Sequence, residues 1–346
     1  MRKILFLLSA IMVLLLGLAF FYLRQNPELL MDRLIRKQVA QFNNQASAYL
    51  KQPGINIYTV GTATPIPGER AQTCTAIFID GHFFLFDVGY GSVGKMERMG
   101  LPLDQLEAVF ITHWHSDHFI DLPYLINRSW QLGRHKDLQI YGPEGMDSIL
   151  QHIQGVLEIE NQHRVNHHGN KIMNPAFSGA HSNVIFMEKN GSKVVYEKNG
   201  IQILAFDVCH EPVSQDFGYR INYQSKSVVL SGDTKKCENV IKNDQGADLL
   251  IHEAMLMDVM KRIGQIQKEA GNIRLGKIMT DVLEYHTSPL EAAEVAAEAG
   301  VKELVLHHLG PTPDNFLIKR LYLKGLEDYF QGPVHLADDG DQFTIE

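Results

Sequence analysis

The sequence predicts an α+β chain whose two sheets pack face to face, with helices covering their outer faces. Three observations carry this expectation. Strand-like runs are followed by helical runs in both halves, the strand ends carry clusters of polar residues, and 346 residues at 45% hydrophobic composition suffice for one large core.

The first element is a run of 20 residues without a charge, Ile4 to Leu23, which at about 1.5 Å per helical residue matches the roughly 30 Å hydrocarbon core of a bilayer. Residues 1–25 therefore read as a membrane anchor. A cleavable signal sequence is the rival reading, because Arg2 and Lys3 precede the run; against it, Phe20-Phe21-Tyr22-Leu23 lacks the small residues of a cleavage site. Basic residues flank both ends, so charge does not fix the orientation. A short N-terminal flank before a large domain resembles a bacterial signal anchor. The expectation is a single-pass inner-membrane protein with its domain in the periplasm, or a secreted domain if the segment is cleaved.

Residues 26–52 read as a membrane-proximal helix, Pro27 to Leu50, with a linker broken at Pro53-Gly54, and residues 53–346 as the main domain. In that domain strands are expected at Ile55 to Val60, Thr75 to Ile79 and Phe83 to Phe86, the last two joined by an Asp80-Gly81 turn. A helix around Ser92 to Met99 leads to strand Ala108 to Thr112. Leu138 to Tyr141 reads as a strand, Gly145 to Leu157 as a helix, and the Gly/Asn/His-rich stretch Asn161 to Ser182 as a loop or lid. The second half repeats this logic with strands Val194 to Glu197, Ile201 to Val208, Gly218 to Tyr223, Ser227 to Leu230 and Asp248 to Ile251. The clearest helix follows Ser288, which can cap it; Pro289 suits its first turn, Glu291 completes a capping box and Gly300 ends it. Strand Glu303 to Leu306 comes last.

Charge narrows the partners. Residues 1–37 hold six Lys/Arg against two Asp/Glu, so a chain of net charge −8 leaves −12 on the remainder. Such an acidic domain does not advertise nucleic-acid binding. Cys74, Cys209 and Cys237 are too few and scattered for a disulfide framework or a Cys-based metal site, and read as buried thiols.

The chemistry concentrates at His113-Trp114-His115-Ser116-Asp117-His118, directly after a strand. His113 and His115, two apart, can face one side, while Asp117 and His118 in the following turn reach a second point a few ångströms away. Four ligand-type side chains within six residues at a strand end bury polar atoms that need partners. Two metal ions about 3.5–4 Å apart would supply them, sharing one water and lowering its pKa. Asp233 in Ser-Gly-Asp-Thr, after an apolar strand, is the natural bridging carboxylate; an Asx turn is its bland alternative.

Through the His-x-His-x-Asp-His run and the order of later motifs, the chain resembles the metallo-β-lactamase superfamily over Ile55 to Glu346, and more closely its branch of ribonuclease Z and arylsulfatase-type hydrolases. The resemblance implies a four-layer αββα catalytic domain. It implies that His113, His115 and His210 hold one metal and Asp117, His118 and His308 the other, with Asp233 between them. The ions are expected to be zinc, with manganese or iron as alternatives. His307 competes with His308, and the family pattern favours the second of the pair. His286 in Tyr-His-Thr-Ser matches the histidine that protonates the leaving oxygen, a task suited to an imidazole. Glu253 is expected to orient it, and Asp87 to support the metal loops. Catalytic roles thus fall to His286, Asp117 and Glu253. His135, His152, His163, His167, His168 and His181 read as loop histidines.

The implied activity is hydrolysis of a small ester, an aryl sulfate, phosphodiester or lactone, by a hydroxide bridging two metals. Asp121-Leu-Pro-Tyr-Leu, Leu132-Gly-Arg and Tyr141-Gly-Pro-Glu-Gly look like the arylsulfatase-type branch. Trp114, Tyr141 and Tyr219 are candidates for an apolar pocket wall. The alternative is a ribonuclease Z-like endonuclease trimming tRNA 3′ ends. Against it, Pro67-Gly-Glu-Arg-Ala-Gln72 lacks the Lys and Asn usual in that loop, and residues 144–200 carry six Asp/Glu and five Lys/Arg rather than a basic arm. A membrane-anchored binding module without catalysis is a third reading. Dimers are common in the branch, so a homodimer is expected.

Overall fold

The computed structural model describes residues 2–66 and 68–346, without the side chains of residues 2–5, 7, 9, 10, 29 and 42. Two compact units divide the chain, one ending at Ala48 and one running from Tyr49 to Glu346. The first is helical, with α1 (Arg2–Gln25) and α2 (Glu28–Leu50), the latter closing just inside the second unit. Among the described residues, no helix is long and apolar enough to cross a membrane. The expected anchor over residues 1–25 finds no support there. Met1 and the side chains of residues 2–5, 7, 9 and 10, all within that segment, lie outside the described set.

In the second unit, β1 (Ile55–Gly61), β2 (Cys74–Ile79) and β3 (His82–Phe86) form an antiparallel meander. Asp80 and Gly81 turn the β2–β3 hairpin with positive φ at both residues, as a tight primed turn requires. There follow α3 (Ser92–Met99), β4 (Ala108–Phe110), the single turn α4 (Ser116–Phe119), α5 (Leu122–Gln131), β5 (Leu138–Gly142), α6 (Met146–His168) and β6 (Ala180–Val184). A second meander, β7 (Ser192–Lys198), β8 (Ile201–Asp207), β9 (Phe217–Tyr223) and β10 (Lys226–Leu230), leads to α7 (Glu238–Asp244) and β11 (Leu249–Met255). The chain closes with α8 (Met257–Glu269), α9 (Ile273–Asp281), α10 (Pro289–Glu298), β12 (Leu304–Gly310), α11 (Phe316–Leu323), β13 (Val334–Leu336) and β14 (Gln342–Ile345).

Among the described residues the strands make two seven-stranded mixed sheets, β14-β1-β2-β3-β4-β5-β6 and β13-β12-β11-β10-β9-β8-β7. Each joins an antiparallel part to a parallel part, the change falling at β3–β4 in the first sheet and at β10–β11 in the second. Period-two alternation sends Phe83 and Leu85 outward and Phe84 and Phe86 inward. The inward set meets Tyr219, Ile221 and Val228 of the other sheet, while outer cores lie under Leu125 and Leu150 on one side and Ala292 and Val295 on the other. Three cores between four layers are the expected α+β sandwich.

The differences have physical causes. α6 continues to His168, so Asn161 to His168 is helix and not loop; only Met146, Leu150 and Ile153 of α6 are buried, and its outer half offers no apolar stripe. His152, His163, His167 and His168 accordingly sit on that helix. β12 runs on through His307 and His308 to Gly310. Cys209 and Cys237 are not free thiols but a disulfide, 28 residues apart in sequence and joined where the β8–β9 loop meets the start of α7; Cys74 alone is a buried thiol.

Candidate metal centre

Parallel strands of both sheets end at one place. β4 delivers His113, His115 and, through the single turn of α4, Asp117 and His118. The β8–β9 loop brings His210, the end of β10 brings Asp233, β11 carries Glu253, the segment before α10 carries His286, and β12 carries His308. Asp87 and His308 both hold positive φ, +59° and +48°, in the sparsely populated left-handed region. Such backbone persists where surrounding contacts fix it, and here it turns both side chains to the cluster.

Three groups of ligand atoms lie within 4.8 Å of one another: His113, His115, His210 and Asp233; Asp117, His118 and His308; and Asp233, His286 and His308. Asp233 joins the first set to the rest. Its Oδ2 stands 3.8 Å from His113 Nε2, 3.2 Å from His118 Nε2 and 3.4 Å from His308 Nε2. His308 Nε2 is also 3.2 Å from Asp117 Oδ2, so the second histidine of the pair is the one that enters the cluster. His307 is buried beside it but belongs to none of these groups.

The donor set fits metal ions. His118 hydrogen-bonds Asp87 Oδ2 through Nδ1 at 2.8 Å, and His210 holds the Tyr285 carbonyl through Nδ1 at 3.0 Å. In both rings the other nitrogen, Nε2, is buried without a hydrogen-bond partner. One nitrogen fixed from behind and the other aimed bare at a common centre is how ligating imidazoles are presented. Asp87 also accepts hydrogen bonds from the Thr112 N–H at 2.8 Å and the Thr112 hydroxyl, which locks the strand end that feeds the cluster.

The electrostatics point the same way. Burial holds the His113 ring well below its usual pKa and pushes His210 down to about 4, so both present neutral nitrogen lone pairs. Burial also lowers His115. Against burial, His118 is raised well above its usual value by Asp233, Asp87 and Asp117, whose carboxylates call for positive charge at this point. Burial likewise opposes ionisation of Asp233, yet the His118 and His308 rings hold it well below the usual carboxylate range.

His286 lies to one side of this centre. Its Nδ1 is held by both Glu253 oxygens, at 2.9 and 3.0 Å, and Glu253 is itself fixed by the Thr234 N–H at 2.7 Å. Burial would discharge the ring, but Glu253 outweighs it and raises His286 to about 9. Nδ1 being committed, Nε2 is the nitrogen left for a substrate. An open cleft of about 380 Å³ reaches His286, His308, Asp117, Asp233 and His115 from outside.

Two parts of the site carried no sequence signal. Asp216, fully buried, stands 3.4 Å behind His113 Nδ1, and burial raises it well above the usual carboxylate range. The Tyr285 carbonyl that orients His210 is a backbone atom, which no motif reveals. Conversely, Trp114, Tyr141 and Tyr219 do not line the cleft: Tyr219 is buried between the sheets, hydrogen-bonded to the Ile111 carbonyl, and Tyr141 packs there beside it.

Residues 82–309 match the model of the β-lactamase superfamily domain. The chain belongs to that family. Among its curated relatives, a ribonuclease Z of Mycolicibacterium paratuberculosis is 31% identical over 304 residues, covering 84% of this chain and 99% of the relative, and one of Mycolicibacterium gilvum is 30% identical over 262 residues, covering 75% and 85%. Among solved structures, human tRNase Z, short form, superposes with a TM-score of 0.60 at 22% identity, covering 84% of this chain and 99% of that one. A metallo-β-lactamase fold protein of Bacillus subtilis gives 0.59 at 22% identity with the same coverage. These two likenesses establish the fold.

Proposed function

We propose that the protein is a metal-dependent phosphodiester hydrolase of the ribonuclease Z kind. The observation that carries the reading is the Glu253–His286 pair, which sets a proton-bearing imidazole beside a convergent His/Asp cluster at the floor of an open cleft. The relatives named ribonuclease Z support the bond type.

In this reading His113, His115 and His210 would hold one ion, Asp117, His118 and His308 a second, and Asp233 would touch both. The nitrogen and carboxylate donors suit zinc. When bound, two such ions supply a water acidified to near neutrality and a clamp on the phosphoryl oxygens. The chain's own residues do the rest. Glu253 keeps His286 charged and aimed, and His286 Nε2 gives its proton to the departing alkoxide as the P–O bond breaks. Asp87 braces the His118 ring from behind.

A small ester such as an aryl phosphodiester, aryl sulfate or lactone is the second reading, favoured by the absence of Lys and Arg among the described residues that line the cleft. The test presents the metal-loaded full chain with a precursor tRNA bearing a 3′ trailer and with bis(p-nitrophenyl) phosphate, beside His286→Ala. Trailer removal that depends on His286 narrows the substrate to RNA; cleavage of the aryl diester alone selects the small ester. No cleavage of either, with two ions bound, defeats the proposal.

For the N-terminal segment we propose a bilayer anchor with the domain on the periplasmic side, supported by the uncharged run Ile4 to Leu23 and by the exposure of Val13, Leu14, Leu15 and Leu16. Release of the full chain from membranes by alkaline carbonate would remove that proposal.

A further inference from the structure

The cleft has two unlike sides. One is the polar cluster. The other is built by α9 and the residue directly after it: Leu275, Ile278, Met279 and Val282 fall at i, i+3, i+4 and i+7, a single helical stripe. Ile66 and Met260 extend it. A stripe of this spacing ordinarily faces a core, but here Leu275 is 40% and Ile278 44% exposed. The wall is firmly placed. α8 and α9 cross so closely at Gly264 and Gly276 that a Cβ on Gly276 would meet the Gly264 carbonyl oxygen at 2.7 Å.

Among the described residues that line the cleft there is no Lys or Arg, so the wall offers burial and not ion pairing. An apolar group there gains burial against six apolar side chains and leaves its own phosphate to the polar side.

We propose that this wall is a subsite for an uncharged apolar alcohol, aryl or alkyl, esterified to the scissile phosphate, so that an apolar substituent on the leaving group is preferred over a small polar one. The inference rests on the phosphodiester reading above and deepens it by naming the substituent. His286 shares the cleft with the wall, so the alcohol docked there is the leaving group. Water adds to phosphorus, the P–O bond to that alcohol breaks, and the alcohol departs with the proton from His286, which a proton of the attacking water replaces.

The test is calorimetric binding of diphenyl phosphate and dimethyl phosphate to the metal-loaded full chain, in wild type, Ile278→Asp and Leu275→Ser. Both positions are exposed, and thermal melts of the variants are the check that they fold. Wild type is expected to bind diphenyl phosphate at least tenfold more tightly than dimethyl phosphate, and Ile278→Asp to erase most of that preference with two ions still bound. Leu275→Ser should reduce it less. Equal affinity for the two diesters, or a preference that survives both substitutions, overturns the proposal. So does turnover of an oligoribonucleotide more efficient than that of bis(p-nitrophenyl) phosphate and unaffected by Ile278→Asp. If the aryl preference and its loss are seen but no phosphodiester is ever cleaved, the phosphodiester reading fails while the apolar wall stands.

Discussion

Glu253→Gln is the substitution that isolates how His286 holds its proton. Glu253 lies 2.9 and 3.0 Å from His286 Nδ1 and is nearly fully buried, so its charge acts with little screening. Gln keeps the shape and an oxygen for the Thr234 N–H but removes the charge. An imidazole raised from an ordinary 6.5 to about 9 is favoured in its charged form by roughly 3 kcal/mol, at about 1.4 kcal/mol per unit. Without Glu253 only the burial penalty and more distant carboxylates remain, and the value should fall to about 6.5 or lower. The assay is an NMR titration of the His286 ring in metal-free protein, assigned with His286→Ala, since bound cations would themselves depress it. The sign carries over to stability. A pKa raised by folding stabilises the native state fully below about pH 6.5, and that contribution is lost as pH rises through about 9. Metal-free wild type should therefore lose about 3 kcal/mol more than Glu253→Gln between pH 6 and pH 10 in urea unfolding. A wild-type His286 titrating at or below 6.5, or a variant with an unchanged value, refutes the reasoning.

Asp87→Ala should weaken the ion held by His118 by about ten- to a hundredfold, read by competition with a chelator, because the His118 ring then keeps only the longer Thr112 hydroxyl contact at 3.2 Å; an unchanged affinity removes Asp87 from the site. Replacing Cys209 and Cys237 together with Ser frees a closure of 28 residues beside His210 and should cost about 3 to 4 kcal/mol in urea unfolding on the chain-entropy account, where no loss would show that the loop needs no tether. His286→Ala should leave two ions bound and lower kcat by about a hundredfold or more; an equal loss of metal would instead make it a ligand.

Much of the site was legible because its chemistry is local. Four of its residues lie between His113 and His118, and Asp233 follows an apolar strand, a place where a carboxylate meets whatever the neighbouring strand ends present. The capping box at Ser288 was equally readable, since Ser288 and Glu291 bond each other's backbone within three residues. What escaped depends on tertiary placement. Cys209 and Cys237 are unremarkable in spacing, and only the meeting of the β8–β9 loop with α7 pairs them. α9 went unread because its stripe is short and serves a cleft, and the apolar wall was sought among aromatics that lie outside the cleft. Asp216 shows the limit most clearly: only the fold places a lone carboxylate behind His113.

The most direct measurement is anomalous diffraction from crystals of the zinc-loaded full chain. The account predicts two zinc peaks about 3.5–4 Å apart, one bounded by His113, His115 and His210, the other by Asp117, His118 and His308, with the Asp233 carboxylate reaching both. A single peak, or two peaks with Asp233 turned away from either, contradicts it.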